Sequence, residues 1–129
     1  INKGIIISDS TEIGVNGNAR LLAFVGHDGF MDLQLEELYK QADTKTRDCI
    51  VLACYSKQFF GPRLKQAGAR PLLWTTNLFG PEAYTLHDAL SGYIRGESDK
   101  AIQTRAAEAY AKYTKCSVKA AMNLLVTGW

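Results

Sequence analysis

The chain predicts an α/β fold: a mostly parallel sheet with helices on both faces and extra helices at the C-terminal end. Three observations carry this expectation. The apolar runs at residues 21–25, 49–53 and 71–75 are continuous rather than alternating, the pattern of strands buried on both faces. Segments with apolar residues at helical spacing separate them. Beyond the last run only helical spacing continues. Strands alternating with helices in sequence build parallel sheets.

Taken in order, Ile5-Ile6-Ile7 is a short β-branched run suited to a buried strand. Asn16-Gly17 follows in a polar stretch. Both residues tolerate positive φ, so the pair predicts a tight hairpin turn. Leu21-Leu22-Ala23-Phe24-Val25 is the next strand, and Gly26-His27-Asp28-Gly29 ends it. Met31, Leu35, Leu38, Tyr39 and Ala42 recur at helical spacing and predict a helix over residues 30–42. After the polar connection 43–48 comes the strand Cys49-Ile50-Val51-Leu52-Ala53, closed by Cys54. Residues 57–67 read as a helix stopped by Gly68. Pro71-Leu72-Leu73-Trp74-Thr75 is a further strand. Pro81-Glu82 opens a helix through Ile94, because Pro suits the first turn and Glu the positive end of the dipole. Ser98 caps a helix carrying Ile102, Ala106, Ala109, Tyr110 and Tyr113. Ser117 caps a last helix carrying Val118, Ala121, Leu124 and Leu125.

The totals narrow the function. The chain has 129 residues, a length that fits one domain over 1–129. Its 15 basic and 13 acidic side chains are dispersed, so no nucleic-acid partner is expected. No apolar run approaches the roughly 20 residues of a membrane span. The start, Ile1-Asn2-Lys3-Gly4, has neither an initiator methionine nor a signal-peptide layout, which predicts a fragment or a processed product. Three cysteines, Cys49, Cys54 and Cys116, do not complete a disulfide framework. Their spacing, with only two histidines, predicts no metal site.

The order of elements brings two reactive side chains together. His27 follows one predicted strand and Cys54 closes the next. If those strands are parallel neighbours, their axes lie about 4.8 Å apart and both residues sit at the carboxyl edge, where open α/β sheets bind ligands. An imidazole there can take the thiol proton and later give a proton to a leaving amine. The N–H of Gly29 or Asp28, together with that of Cys54, is a candidate to hold an oxyanion. Asp28 and Glu82 are candidates to read a basic substrate group and Asn77 to line a groove, while Trp74 and Phe79, near the same edge, read first as core packing. His87, beside Asp88, reads as a boundary residue of an amphipathic helix.

Val25-Gly26-His27-Asp28-Gly29 followed by Val51-Leu52-Ala53-Cys54-Tyr55-Ser56 resembles the caspase-like (clan CD) cysteine peptidases, which place His-Gly after one apolar strand and Cys after the next. Residues 70–76 and Pro81-Glu82-Ala83-Tyr84 are similar to bacterial caspase-like and CHAT-type proteins, and the likeness spans roughly residues 20–96. His precedes Cys, the reverse of papain-like enzymes. Asp28 stands where the family has glycine after the histidine, and the Gln-Ala-Cys pattern of caspases is absent. The resemblance implies a caspase-like topology and a His27–Cys54 dyad. It also implies an endopeptidase acting on peptide or protein through a thioester, without cofactor. The alternative is a catalytically inactive caspase-like interaction domain. The family's sheets have more strands before the histidine. The front is therefore expected to be completed by an N-terminal segment outside this chain or by a second copy.

Overall fold

In a computed structural model, the structure describes residues 4–36, 41 and 43–129. It is mixed α/β, with a four-stranded mixed sheet, a separate two-stranded hairpin and four α-helices among the described residues. The hairpin pairs β1 (Gly4–Ser8) with β2 (Thr11–Gly14) antiparallel. The main sheet has the order β3 (Leu21–Val25), β4 (Asp48–Leu52), β5 (Arg70–Thr75), β6 (Leu125–Val126). β3–β4 and β4–β5 run parallel; β5–β6 is antiparallel.

The central strand β4 shows why the sheet needs helices on both faces. Alternate side chains of a strand point to opposite faces. Ile50 and Leu52 join Leu72 and Leu73 in a core covered by α2 (Ala83–Ile94), α3 (Asp99–Thr114) and α4 (Val118–Leu124), through Ala89, Ile102, Ala106 and Ala121. Cys49, Val51 and Ala53 face the other way and pack with Trp74 against Phe60 and Leu64 of α1 (Ser56–Gln66). A continuous apolar run is what a strand between two such layers requires.

Several expectations are corrected. Ile5–Ile7 does not enter the main sheet: Ile5, Ile6, Ile7 and Ile13 are exposed on the hairpin. Asn16 and Gly17 do take positive φ, 51° and 86°, and Val15 O accepts from Asn18 N at 3.0 Å. They turn the chain from β2 towards β3 rather than joining two paired strands; the hairpin turns at Asp9–Ser10 instead. β3 is an edge strand, and Leu22 (52%) and Phe24 (43%) are exposed, so its apolar run does not mean burial on both faces. The helix expected over residues 30–42 is only a 3-10 turn, Gly29–Met31, followed by non-helical chain to Glu36; Leu38, Tyr39 and Ala42 lie outside the described residues. Leu125, expected in the last helix, begins β6, and that helix ends at Leu124.

β6 seals the far side of β5. Trp74 pairs with Val126, and Thr75 with Leu125. Trp74 Nε1 donates to Gly128 O at 3.1 Å, and Gly128 N donates to Pro71 O at 3.0 Å.

The expected helix caps form where the hydroxyls stand. Ser98 Oγ accepts from Ala101 N at 3.3 Å, and Ser117 Oγ accepts from Ala120 N at 3.1 Å. Removing such a cap costs about 1 kcal/mol. Ser98→Ala is expected to lower stability by about that amount, read as a lower urea midpoint with unchanged slope. A midpoint equal to that of the parent would contradict the cap.

Candidate active site

The parallel pairing of β3 and β4 sets the site. Val25 stands opposite Leu52, and Gly26 N donates to Leu52 O at 3.2 Å, so register persists one residue past the strand. His27 and Cys54 each lie two residues beyond these paired ends, at the carboxyl edge of adjacent strands.

Each side chain has its own local support. His27 is well exposed, and its Nε2 meets Asp32 Oδ2 at 2.5 Å. This leaves Nδ1 for another partner and makes Asp32 the group that orients the ring. The thiol of Cys54 is half-buried. Phe79 N donates to its sulfur at 3.4 Å, and the thiol reaches Phe79 O at 3.6 Å. Phe79 is held in place by stacking on Tyr110, with ring centroids 5.0 Å apart. Among the described residues no hydrogen bond joins His27 to Cys54 directly. Catalytic hydrogen bonds are often long without substrate and tighten in the complex.

Below Cys54 lies a buried knot of hydroxyls. Ser56 Oγ donates to Val51 O at 2.8 Å and accepts from Thr75 N at 2.9 Å. Ser56 N donates to Thr75 Oγ1 at 3.1 Å, and Thr75 Oγ1 donates to Ala53 O. These bonds tie the peptide group before Cys54, through Ala53 O, and the one after Tyr55, through Ser56 N, to β5. Tyr55, the residue between, takes φ 50° in the left-handed region, which costs a non-glycine residue about 1–2 kcal/mol. Its N–H donates to Asn77 O at 3.0 Å, so the loop after β5 braces the turn. Strain of this kind persists only where the surroundings over-determine it.

The remaining sequence candidates fall differently. Asp28 is fully buried: Oδ1 accepts from Phe30 N at 3.0 Å and caps the 3-10 turn, so it does not face a substrate. Its Oδ2 is buried without a partner among the described residues. The Gly29 N–H donates back to His27 O at 3.1 Å and is thereby occupied, which takes it away from an oxyanion in this conformation. Asn77 is exposed, and its Oδ1 accepts from Leu78 N at 2.7 Å, closing its own turn. Glu82 is exposed before α2 and makes no side-chain capping bond. Trp74 and Phe79 are buried, as core packing requires. His87 is exposed and pairs with Asp88 at 2.8 Å. Cys49 is buried; burial, and secondarily Asp48, pushes its thiol pKa up. Cys116 is exposed. No cluster of metal-ligating side chains occurs among the described residues.

Asp32, Ser56 and Thr75 were not singled out by the sequence. An acid five residues after a histidine in a glycine-rich loop was the available signal for Asp32.

The buried Asp28 makes stability depend on pH in a definite direction. Burial, the largest influence, holds its carboxyl above the usual carboxylate range despite the Phe30 N–H. Its contribution to stability is fully present below the unfolded-state value and is lost as pH rises through the folded one. Relative to the parent, Asp28→Asn is therefore expected to gain stability as pH rises above about 4. Urea midpoints across that rise would measure the gain, and parallel curves would contradict it.

Comparison with family models, curated proteins and solved structures returned no match.

Proposed function

We propose that the protein is a cysteine endopeptidase of caspase-like type, in which His27 and Cys54 form the catalytic dyad and Asp32 orients the histidine. The observation that carries this reading is the equivalent placement of His27 and Cys54 beyond the paired ends of β3 and β4. His27 takes the Cys54 thiol proton as sulfur attacks the scissile carbonyl. The S–C bond forms, and the Cys54 N–H is a candidate to meet the oxyanion. The C–N bond breaks, and the amine leaves with the proton from the imidazolium. Water then attacks the thioester, giving its proton to His27. The S–C bond breaks, His27 returns that proton to the sulfur to restore the thiol, and the product acid leaves, losing its remaining proton to solvent as the carboxylate. The main chain of Phe79, whose N–H donates to the sulfur, fixes where the sulfur stands.

The contact of the thiol with Phe79, and not with His27, is the observation that favours a second reading, an inactive interaction domain of the same shape. Cysteine labelling separates the two, because Cys116 supplies an exposed thiol as internal reference. Iodoacetamide near neutral pH is expected to modify Cys54 before Cys116, with Cys49 last. In His27→Ala that priority should disappear. Cys116 reacting first in the parent protein would favour the inactive domain.

A further inference from the structure

Beside His27 opens an apolar recess of about 360 Å³. Phe24 of β3, Phe30 and Leu33 of the following loop, Leu35, and Phe60 of α1 line it, and His27 forms one wall. The rings are mutually braced: Phe60 lies 4.7 Å from Phe30 edge-on and 5.6 Å from Phe24, centroid to centroid. Arg63 sits over the Phe30 ring at 4.7 Å but lines neighbouring surface, not this recess. Among the described residues no carboxylate, ammonium or guanidinium contributes to its lining.

We infer that this recess is the specificity pocket for the substrate residue on the acyl side of the cut bond, and that it takes a large apolar side chain such as Phe, Leu or Met. The inference rests on the peptidase reading and names its substrate class. Position is the first argument. The recess shares His27 with the dyad and Phe60 with the helix that begins two residues after Cys54, so it adjoins both reacting elements. Size is the second, since the volume falls at the low end of the roughly 300–1,000 Å³ of ligand pockets, suited to one side chain. Chemistry is the third. A charged side chain entering would lose its water and meet no counter-charge, whereas an apolar one gains from leaving water. The pocket offers nothing for the basic group that Asp28 and Glu82 were expected to read.

The test compares alkylation of Cys54 by N-acyl chloromethyl ketones of Phe and of Lys, each normalised to iodoacetamide and read by peptide mass spectrometry. The Phe reagent is expected to react at least about tenfold faster, the scale of discrimination that apolar pockets reach. Leu35→Asp alters the recess at a half-exposed position outside the dyad. With each rate normalised to iodoacetamide in the same variant, it should remove the preference. Equal rates for the two reagents, or a preference that survives Leu35→Asp, would overturn the pocket while leaving the dyad standing. If Cys54 reacts with no reagent faster than free cysteine, the peptidase reading fails instead. The recess is then judged on Cys54→Ala protein by methyl NMR. N-acetyl-phenylalanine amide should shift the Leu33 and Leu35 methyls, and N-acetyl-lysine amide should not. Absence of shifts with the phenylalanine compound would overturn it.

Discussion

Cys54→Ala is expected to abolish peptide hydrolysis while the protein still folds. The sulfur is the only atom placed to bond the carbonyl carbon in the proposed mechanism, so its removal leaves only the slow reaction with water. Loss of a nucleophile in enzymes that act through an acyl intermediate costs roughly 10⁴–10⁶ in kcat. The thiol's partners are the N–H and carbonyl of Phe79, and the side chain is half-buried. Truncation there is therefore expected to cost stability only about 1 kcal/mol, within the ordinary range for single substitutions. A fluorogenic peptide with Phe before the cut would be the substrate, and circular dichroism melting would confirm the fold. Undiminished turnover by purified Cys54→Ala would remove Cys54 from the mechanism altogether.

Ser56→Ala is expected to produce the largest loss of stability among changes that spare the apolar core. The Ser56 hydroxyl satisfies two main-chain groups in a fully buried position, the carbonyl of Val51 and the N–H of Thr75. Alanine removes the hydroxyl from both, and a buried polar group deprived of its partner costs about 1–3 kcal/mol. The two together should cost roughly 2–4 kcal/mol, since neighbouring losses are not fully additive. For a domain of this size that lowers Tm by roughly 3–5 °C per kcal/mol. Thr75→Ser keeps the hydroxyl bonded to Ser56 and Ala53 and should fall much less. Melting temperatures of the two variants decide the matter: a Ser56→Ala protein melting with the parent would show that the knot contributes nothing. Because the knot holds the peptide group that enters Cys54, through Thr75 and Ala53 O, Ser56→Ala should also slow the chemical step.

How far the fold could be read in advance depended on how local its causes are. The strands at 21–25, 48–52 and 70–75 follow from continuous apolar runs, and the caps at Ser98 and Ser117 from a hydroxyl before a helical pattern. Each is decided within a few residues. β6 is decided elsewhere: Leu125 and Val126 continue a helical spacing and become strand because the edge of β5 offers them hydrogen bonds. β3 exposes Leu22 and Phe24 because it stands at an edge, a property of strand order and not of the run itself. At the site, the sequence named His27 and Cys54 from strand ends alone. It could not foresee that Asp28 turns inward to Phe30 N, since a loop acid carries no periodicity to mark its direction.

The antiparallel seal of β5 by β6 has a consequence during synthesis. Thr75 leaves the ribosome 50 residues before its partner Leu125. At about 5–20 residues per second, that interval lasts roughly 3–10 s. Throughout it Trp74 lacks the Gly128 carbonyl that its indole finally bonds, and one border of a nascent parallel sheet stands open. A growing chain in this state is vulnerable to pairing with the wrong strand, so slowing translation between residues 75 and 125 should lower the yield of native protein, and a chaperone that shields strand borders should restore it.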